Sequence, residues 1–156
     1  MLSDSHAYAL KDLPGKAVDE LSGMDLIVHA GDYTGKGLLD ELRKLGDFKG
    51  VYGNMDPPEV RGELPGSDVL ELMGFKIGVT HPPEGVAPFR LMKRVRAKFE
   101  RVDVIVYGHS HWSRNEVIDG IPYFNPGSIT GVFPARHKTF GILRIEKEVN
   151  GEIIKV

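Results

Sequence analysis

Two apolar runs dominate the pattern of the chain, Leu26-Ile27-Val28-His29-Ala30 and Val102 to Tyr107, and a glycine closes each, Gly31 and Gly108. Short runs bounded by turn residues predict strands buried on both faces. Elsewhere the spacing is helical. Leu10, Leu13, Val18 and Leu21 predict a helix over residues 10–22, with Pro14 suited to a first turn, and Leu38, Leu39, Leu42 and Leu45 predict a second, stopped by Gly46. Residues 48–52 predict a short strand ending at Gly53. Val69–Met73 and Phe75–Val79 flank Gly74 as two strands about a tight turn, and Leu91, Met92, Val95 and Phe99 predict a helix from Pro88 to Arg101. The tail reads as β structure, with turns at Asp119-Gly120 and Asn150-Gly151, the latter a strong hairpin signal. Alternating β and α units followed by antiparallel strands predict an α/β fold of two mixed β-sheets with helices outside, one domain over residues 1–156.

Polar residues cluster where the strands stop. Asp4-Ser5-His6, Gly31-Asp32, Gly53-Asn54-Met55-Asp56, Thr80-His81 and Gly108-His109-Ser110-His111 each offer an oxygen or imidazole donor to a divalent cation. Four of the five directly follow a strand-like run. In open α/β sheets, ligand sites gather beyond the carboxyl ends of strands, so these residues are expected at one rim. Only Met1, Leu2 and Ser3 precede Asp4, so either the sequence begins late or the strand presenting the first cluster is a stub, and the Asp4/His6 half-site is expected to be the fragile one. Two ions about 3.5–4 Å apart can clamp a phosphate ester and activate water, and a shared carboxylate is their natural bridge. Asp32 is the candidate bridge. One ion would take Asp4, His6, Asp32 and His111, the other Asp32, Asn54, His81 and His109, with hydroxide between them as nucleophile.

Composition narrows the chemistry further. No Cys is present, so thiolate zinc sites, disulfides and cysteine nucleophiles are excluded. The net charge of −2 argues against a generally cationic nucleic-acid or membrane binder. No apolar run approaches the ~20 residues that span a bilayer, and no basic-then-hydrophobic leader is visible, so the default location is cytoplasmic.

The order D-x-H, GD, GN-x-D, H, GH-x-H resembles the calcineurin-like metallophosphoesterase superfamily. The small size and the Asn125-Pro126-Gly127-Ser128 turn are most similar to its compact, YfcE-like phosphodiesterase branch. The resemblance covers roughly residues 2–146. It implies a four-layer α-β-β-α sandwich and two divalent metal ions, manganese first, with nickel, zinc or iron as alternatives. It also implies metal ligation by Asp4, His6, Asp32, Asn54, His81, His109 and His111, of which Asp32, Asn54, His81 and His109 are the expected catalytic residues, His81 and His109 stabilising the charge that develops on phosphorus. The chain departs from the pattern in two further places. The usual Thr-His-Gly-His reads Thr80-His81-Pro82-Pro83, and Met55 stands where phosphatases of the wider superfamily carry a leaving-group His. The second departure favours a small phosphodiester, or an ester with a good leaving group, over monoesters. Homodimers occur among small members of the family. The rival class is a non-catalytic scaffold with this fold, as in the retromer's small subunit; a DNA nuclease is disfavoured by the lack of basic excess.

Other residues read more blandly. His29, inside an apolar run, is expected as a satisfied core histidine, and His137 as an exposed loop residue. Asp56 either orients the Asn54 or His109 side chain or simply ends a turn. Lys93, Arg94, Arg96, Lys98 and Arg101 read as a solvated helix face. Arg114 and Arg136 are candidates to pair with a phosphate oxygen. Trp112 reads first as wall packing, with stacking on a base or aromatic leaving group as the alternative.

Overall fold

The structure, a computed structural model, describes residues 1–82 and 88–156. The first sheet has the order β3-β4-β5-β7-β6, built from β3 (Ser67–Leu72), β4 (Phe75–Thr80), β5 (Val104–Tyr107), β6 (Arg114–Ile118) and β7 (Ile121–Asn125). Its centre, β4-β5-β7, is parallel, and each edge is an antiparallel hairpin. The hairpins turn through Met73-Gly74 and Asp119-Gly120, all four residues at positive φ, which matches the twist of the flanking strands.

The second sheet is assembled from pieces. β1 (Ile27–His29) pairs in parallel with β2 (Phe48–Gly50), and β8 (Thr139–Ile145) pairs antiparallel with β9 (Val149–Lys155). Residues 1–3 join the two pairs. Leu2 bridges His29 in parallel, and Met1 and Gly141 exchange backbone hydrogen bonds of 2.6 and 2.9 Å.

Side-chain alternation then sorts the core into three slabs. Val28, Ala30 and Val51 face Ile77, Val79, Val104, Val106 and Phe124 between the sheets. Ile27, Tyr33 and Leu2 pack outward on α1 (Gly15–Leu21), α2 (Lys36–Leu45) and α3 (Pro58–Arg61) through Leu21, Leu38, Leu42 and Val60. Ile105, Tyr107 and Tyr123 pack outward on α4 (Pro88–Arg96) through Leu91, Val95 and Phe99. Three slabs between four layers give the α-β-β-α sandwich with two mixed sheets that the pattern predicts.

Three local expectations are corrected. The helix expected over 10–22 divides into a 3-10 turn, Leu10–Asp12, and α1, because the residue before a proline is driven from helical geometry; Leu13 is extended at φ −83°, ψ 154°. The fourth helix stops at Arg96, and the chain reaches Phe99 through tighter turns in which the Lys98 and Phe99 amides donate to the Val95 and Arg96 carbonyls. Asn150-Gly151 lies inside β9, and the hairpin turns over residues 146–148. Gly151 answers a packing need instead. A Cβ there would stand 2.7 Å from the Phe124 ring, and one at Gly141 would collide with the same ring.

Candidate metal centre

β1, β2, β4 and β5 all point their carboxyl ends at one rim, and the loops leaving them deliver Asp32, Asn54, His81, His109 and His111 there. The segment through Asp4 and His6 arrives alongside. Its backbone is stitched to the loop after β1: the Asp4, His6 and Ala7 amides donate to the Gly31, Asp32 and Tyr33 carbonyls at 3.0, 3.1 and 2.7 Å. Asp4 and its two serine neighbours are fully buried. Paired neighbours on both sides hold Asp4 and His6 in place.

The donor atoms converge in two overlapping sets. One oxygen or nitrogen from each of Asp4, His6, Asp32 and His111 lies within 4.8 Å of the others. The Nε2 atoms of His6 and His111 stand 3.2 Å apart, and Asp4 Oδ1 is 3.4 Å from His111 Nε2. In the second set, Asp32 Oδ2 is 3.3 Å from His81 Nε2, and Asn54 Oδ1 is 3.2 Å from that nitrogen and 2.9 Å from His109 Nδ1. Asp32 belongs to both sets: the Oδ2 atom facing His81 is 3.8 Å from His6 Nε2.

Tautomers are fixed from outside the site. His81 Nδ1–H donates to the Ala30 carbonyl at 2.7 Å, and His111 Nδ1–H to the Val132 carbonyl at 2.9 Å. Without a metal, His81 Nε2 keeps a proton that faces Asp32 Oδ2 at 3.3 Å; a bound cation would take that proton's place, leaving each Nε2 as an inward lone pair, the arrangement that metal-binding histidines adopt. This carboxylate and imidazole chemistry, with no thiolate, fits manganese, zinc or iron. Charge tells the same story. Burial opposes both ions of the Asp32–His81 pair, yet the His81 hydrogen bond and the Met55 amide bring Asp32 down to about 2, while Asp32 and Asp4 raise His81 to about 9. Two buried carboxylates thus gather positive charge, and a divalent cation supplies it. Burial pushes the His6 and His109 imidazoles below their ordinary value, which keeps them neutral and able to ligate.

Backbone strain gathers at the same place. Asp4, His6, Asp32, His109 and His111 have φ of 50°, 44°, 61°, 81° and 60°, a region that residues with a Cβ visit rarely. Such strain persists where surrounding structure enforces it, and it concentrates at functional sites.

Sequence reasoning missed the groups that enforce it. Among the described residues the Asp56 carboxylate makes no hydrogen bond to the Asn54 or His109 side chain. Its buried carboxylate accepts four backbone amides, from Asp32 (3.0 Å), Tyr33 (2.7 Å), Thr34 (3.0 Å) and Gly53 (2.7 Å), so it locks the two loops carrying Asp32 and Asn54. Ser128 Oγ–H donates to the Asp4 carbonyl at 2.7 Å, and Thr130 Oγ1–H to the Ser5 carbonyl at 2.6 Å. The Asn125-Pro126-Gly127-Ser128 turn, read only as a family mark, is the clamp on the first cluster. Arg94 of the basic helix is half-buried, and its charge helps to hold His109 down.

Several candidates lie apart from this convergence. His29 is a satisfied core histidine: its Nδ1 accepts the Gly31 amide, its Nε2 meets Ser5 Oγ at 2.5 Å, and its ring stacks on Tyr33. Arg114 pairs with Glu116 at 2.9 Å, whereas Arg136 lies over the Trp112 ring, beside His111. His137 is exposed, and Pro83 lies outside the described residues. Among the described residues no helix is long and apolar enough to cross a membrane.

Residues 1–148 match the calcineurin-like phosphoesterase superfamily domain. A probable metallophosphoesterase of Methanocaldococcus jannaschii is 36% identical over 161 residues, covering 100% of this chain and 80% of its own. A phosphodiesterase of the same archaeon is 25% identical over 170 residues, covering 99% and 96%. Among solved structures, a Thermotoga maritima protein is similar at a TM-score of 0.75 and 29% identity, over 99% of this chain and 97% of its own. Vps29 of Entamoeba histolytica, in complex with zinc, shares the fold at a TM-score of 0.72 and 23% identity, over 99% and 96%.

Proposed function

The chain belongs to the calcineurin-like phosphoesterase superfamily, and on that premise we propose that it is a phosphodiesterase holding two divalent cations that share Asp32. The observation that carries this reading is the position of Asp32 Oδ2 between His6 Nε2 at 3.8 Å and His81 Nε2 at 3.3 Å, one imidazole from each donor set. Asp4, His6, Asp32 and His111 would hold one ion; Asp32, Asn54, His81 and His109 the other. When bound, such a pair neutralises the phosphoryl oxygens and makes water nucleophilic near neutral pH.

The chain's own contribution is placement. Asp56 and Ser128 hold the ligand-bearing loops rigid, so little reorganisation remains at the moment of reaction. Asn54 and His109, like His6 and His111, are only half-buried and would border an approaching ester, while the buried His81 closes the floor. Met55, exposed beside Asn54, has no proton to give a departing alkoxide. That favours a diester or an activated ester, whose leaving group departs without strong acid assistance. Manganese is the proposed metal, on the imidazole and carboxylate donors, and a small phosphoester the proposed substrate.

The test is hydrolysis of bis-p-nitrophenyl phosphate against p-nitrophenyl phosphate with added Mn²⁺, with Asp32→Ala as control. Faster turnover of the diester, lost in the variant, is expected. No metal-dependent turnover of either compound, together with no metal bound by calorimetry, would overturn the reading and leave the scaffold.

A further inference from the structure

A cavity of about 290 Å³ opens beside the metal centre, lined by His111, Trp112, Ser113, Arg136, His137 and Thr139. We propose that it seats a nucleobase, so that the substrate is a nucleotide-type phosphodiester; the phosphate placement rests on the phosphodiesterase reading, the base pocket does not. The cavity shares His111 with the first donor set, and Trp112 follows it in the chain. A group in the cavity is therefore one short linkage from a phosphate at the rim.

The lining suits a planar heteroaromatic ring. Trp112 is 51% exposed, so the wall it forms keeps an open aromatic surface. Its only polar atom is already committed, since Nε1–H donates to the Pro134 carbonyl at 2.8 Å and fixes the ring. The Arg136 guanidinium lies 5.9 Å from the centre of that ring. An immobilised indole beside a planar cation is a stacking platform, and base–aromatic stacking contributes about 1–3 kcal/mol. The edges are polar. Thr139 and Ser113 bring hydroxyls, and His137 an imidazole, to the same cavity. Gly127, at φ 78°, lets those two close in: a Cβ there would stand 3.0 Å from the Ser113 amide and collide with Thr139 Oγ1. An alkyl or lipid group would bury these polar edges unpaired, whereas a base can hydrogen-bond to them. At about 290 Å³ the cavity falls near the lower end of small-ligand sites, enough for a base and not for a polymer.

Trp112 is the chain's single tryptophan, so its emission reports on this cavity without any turnover. The probes are adenosine 5′-monophosphate, ribose 5-phosphate and inorganic phosphate, titrated into the Mn²⁺-loaded and the metal-free protein. Saturable quenching by adenosine 5′-monophosphate, with affinity about tenfold tighter than that of ribose 5-phosphate, is expected. Arg136→Ala should weaken that quenching. By calorimetry, Trp112→Ala should bind the two compounds about equally, while Trp112→Phe, which keeps a stacking face, should retain the preference. Equal affinity for both compounds in the wild type, or binding that leaves Trp112 emission unchanged, overturns the proposal. The two readings fail separately: diester turnover without base preference removes only the pocket, and base-dependent quenching without turnover removes only the phosphodiesterase.

Discussion

The Asp56 carboxylate accepts the backbone amide of Asp32 at 3.0 Å, and through three further amides it ties the Asp32 loop to the loop carrying Asn54. A residue that ligates nothing thereby sets the spacing of two candidate ligands. Asp56→Asn would turn an amide group toward some of those donors. Loss of such outer partners typically costs 10–100-fold in metal affinity, and that drop is expected in a Mn²⁺ titration by calorimetry. Wild-type affinity in a folded Asp56→Asn protein would restrict Asp56 to a purely structural role.

Ser128 plays the equivalent part for the first cluster. Its hydroxyl donates to the Asp4 carbonyl and accepts the Gly131 and Val132 amides, each at 3.1 Å. Ser128→Ala leaves the buried Asp4 carbonyl without this partner, and urea unfolding should register a loss of about 1–3 kcal/mol. Ser128→Thr, which keeps the hydroxyl, should lose less. Equal losses in the two variants would point to packing rather than to hydrogen bonding.

Gly141 and Gly151 enclose the Phe124 ring at the interface between the sheets. Adding a methyl at either position overpacks this contact, so Gly141→Ala should destabilise by about 1–3 kcal/mol in thermal melts. In Gly141→Ala/Phe124→Leu the smaller ring space should return part of that loss. Additive losses in the double variant would show that the glycine is needed for some other reason.

Burial, with help from the charge on His81, pushes the His29 imidazole well below its ordinary value, so the folded protein keeps it neutral. Below about pH 6.5 the unfolded chain binds a proton that the folded chain does not. The stability linked to His29 is therefore complete above that pH and is lost as pH falls through it. In metal-free protein, moving from pH 7.0 to 5.5 should lower the unfolding free energy by about 1 kcal/mol more in the wild type than in His29→Gln. Identical pH dependence in the two proteins would contradict the neutral, satisfied state of His29.

Residues whose role follows from local position were the legible ones. Asp32, Asn54, His81 and His109 could be placed because each follows a strand that the apolar pattern announces, and strand ends converge. The sandwich followed from the same alternation of β and α units. Asp56 was opaque because its partners, the amides of residues 32 to 34, lie more than twenty positions away. The support of the first cluster was opaque for the same reason: it comes sideways from β1 and β8 and from Ser128, across the fold. Asn150-Gly151 misled for a related reason. The glycine serves a ring contributed by β7, and a long-range contact prevailed over the local turn preference. Left-handed backbone at five of the candidate ligand residues leaves no mark in composition at all.

The sharing of Asp32 between two ions is the central claim, and metal stoichiometry tests it most directly. Mn²⁺ bound per chain, measured by calorimetry and by elemental analysis after dialysis, should be two in the wild type. His111→Ala and His81→Ala should each retain one, and Asp32→Ala should weaken both together. One ion per chain in the wild type, or a full-affinity ion surviving in Asp32→Ala, would contradict the account.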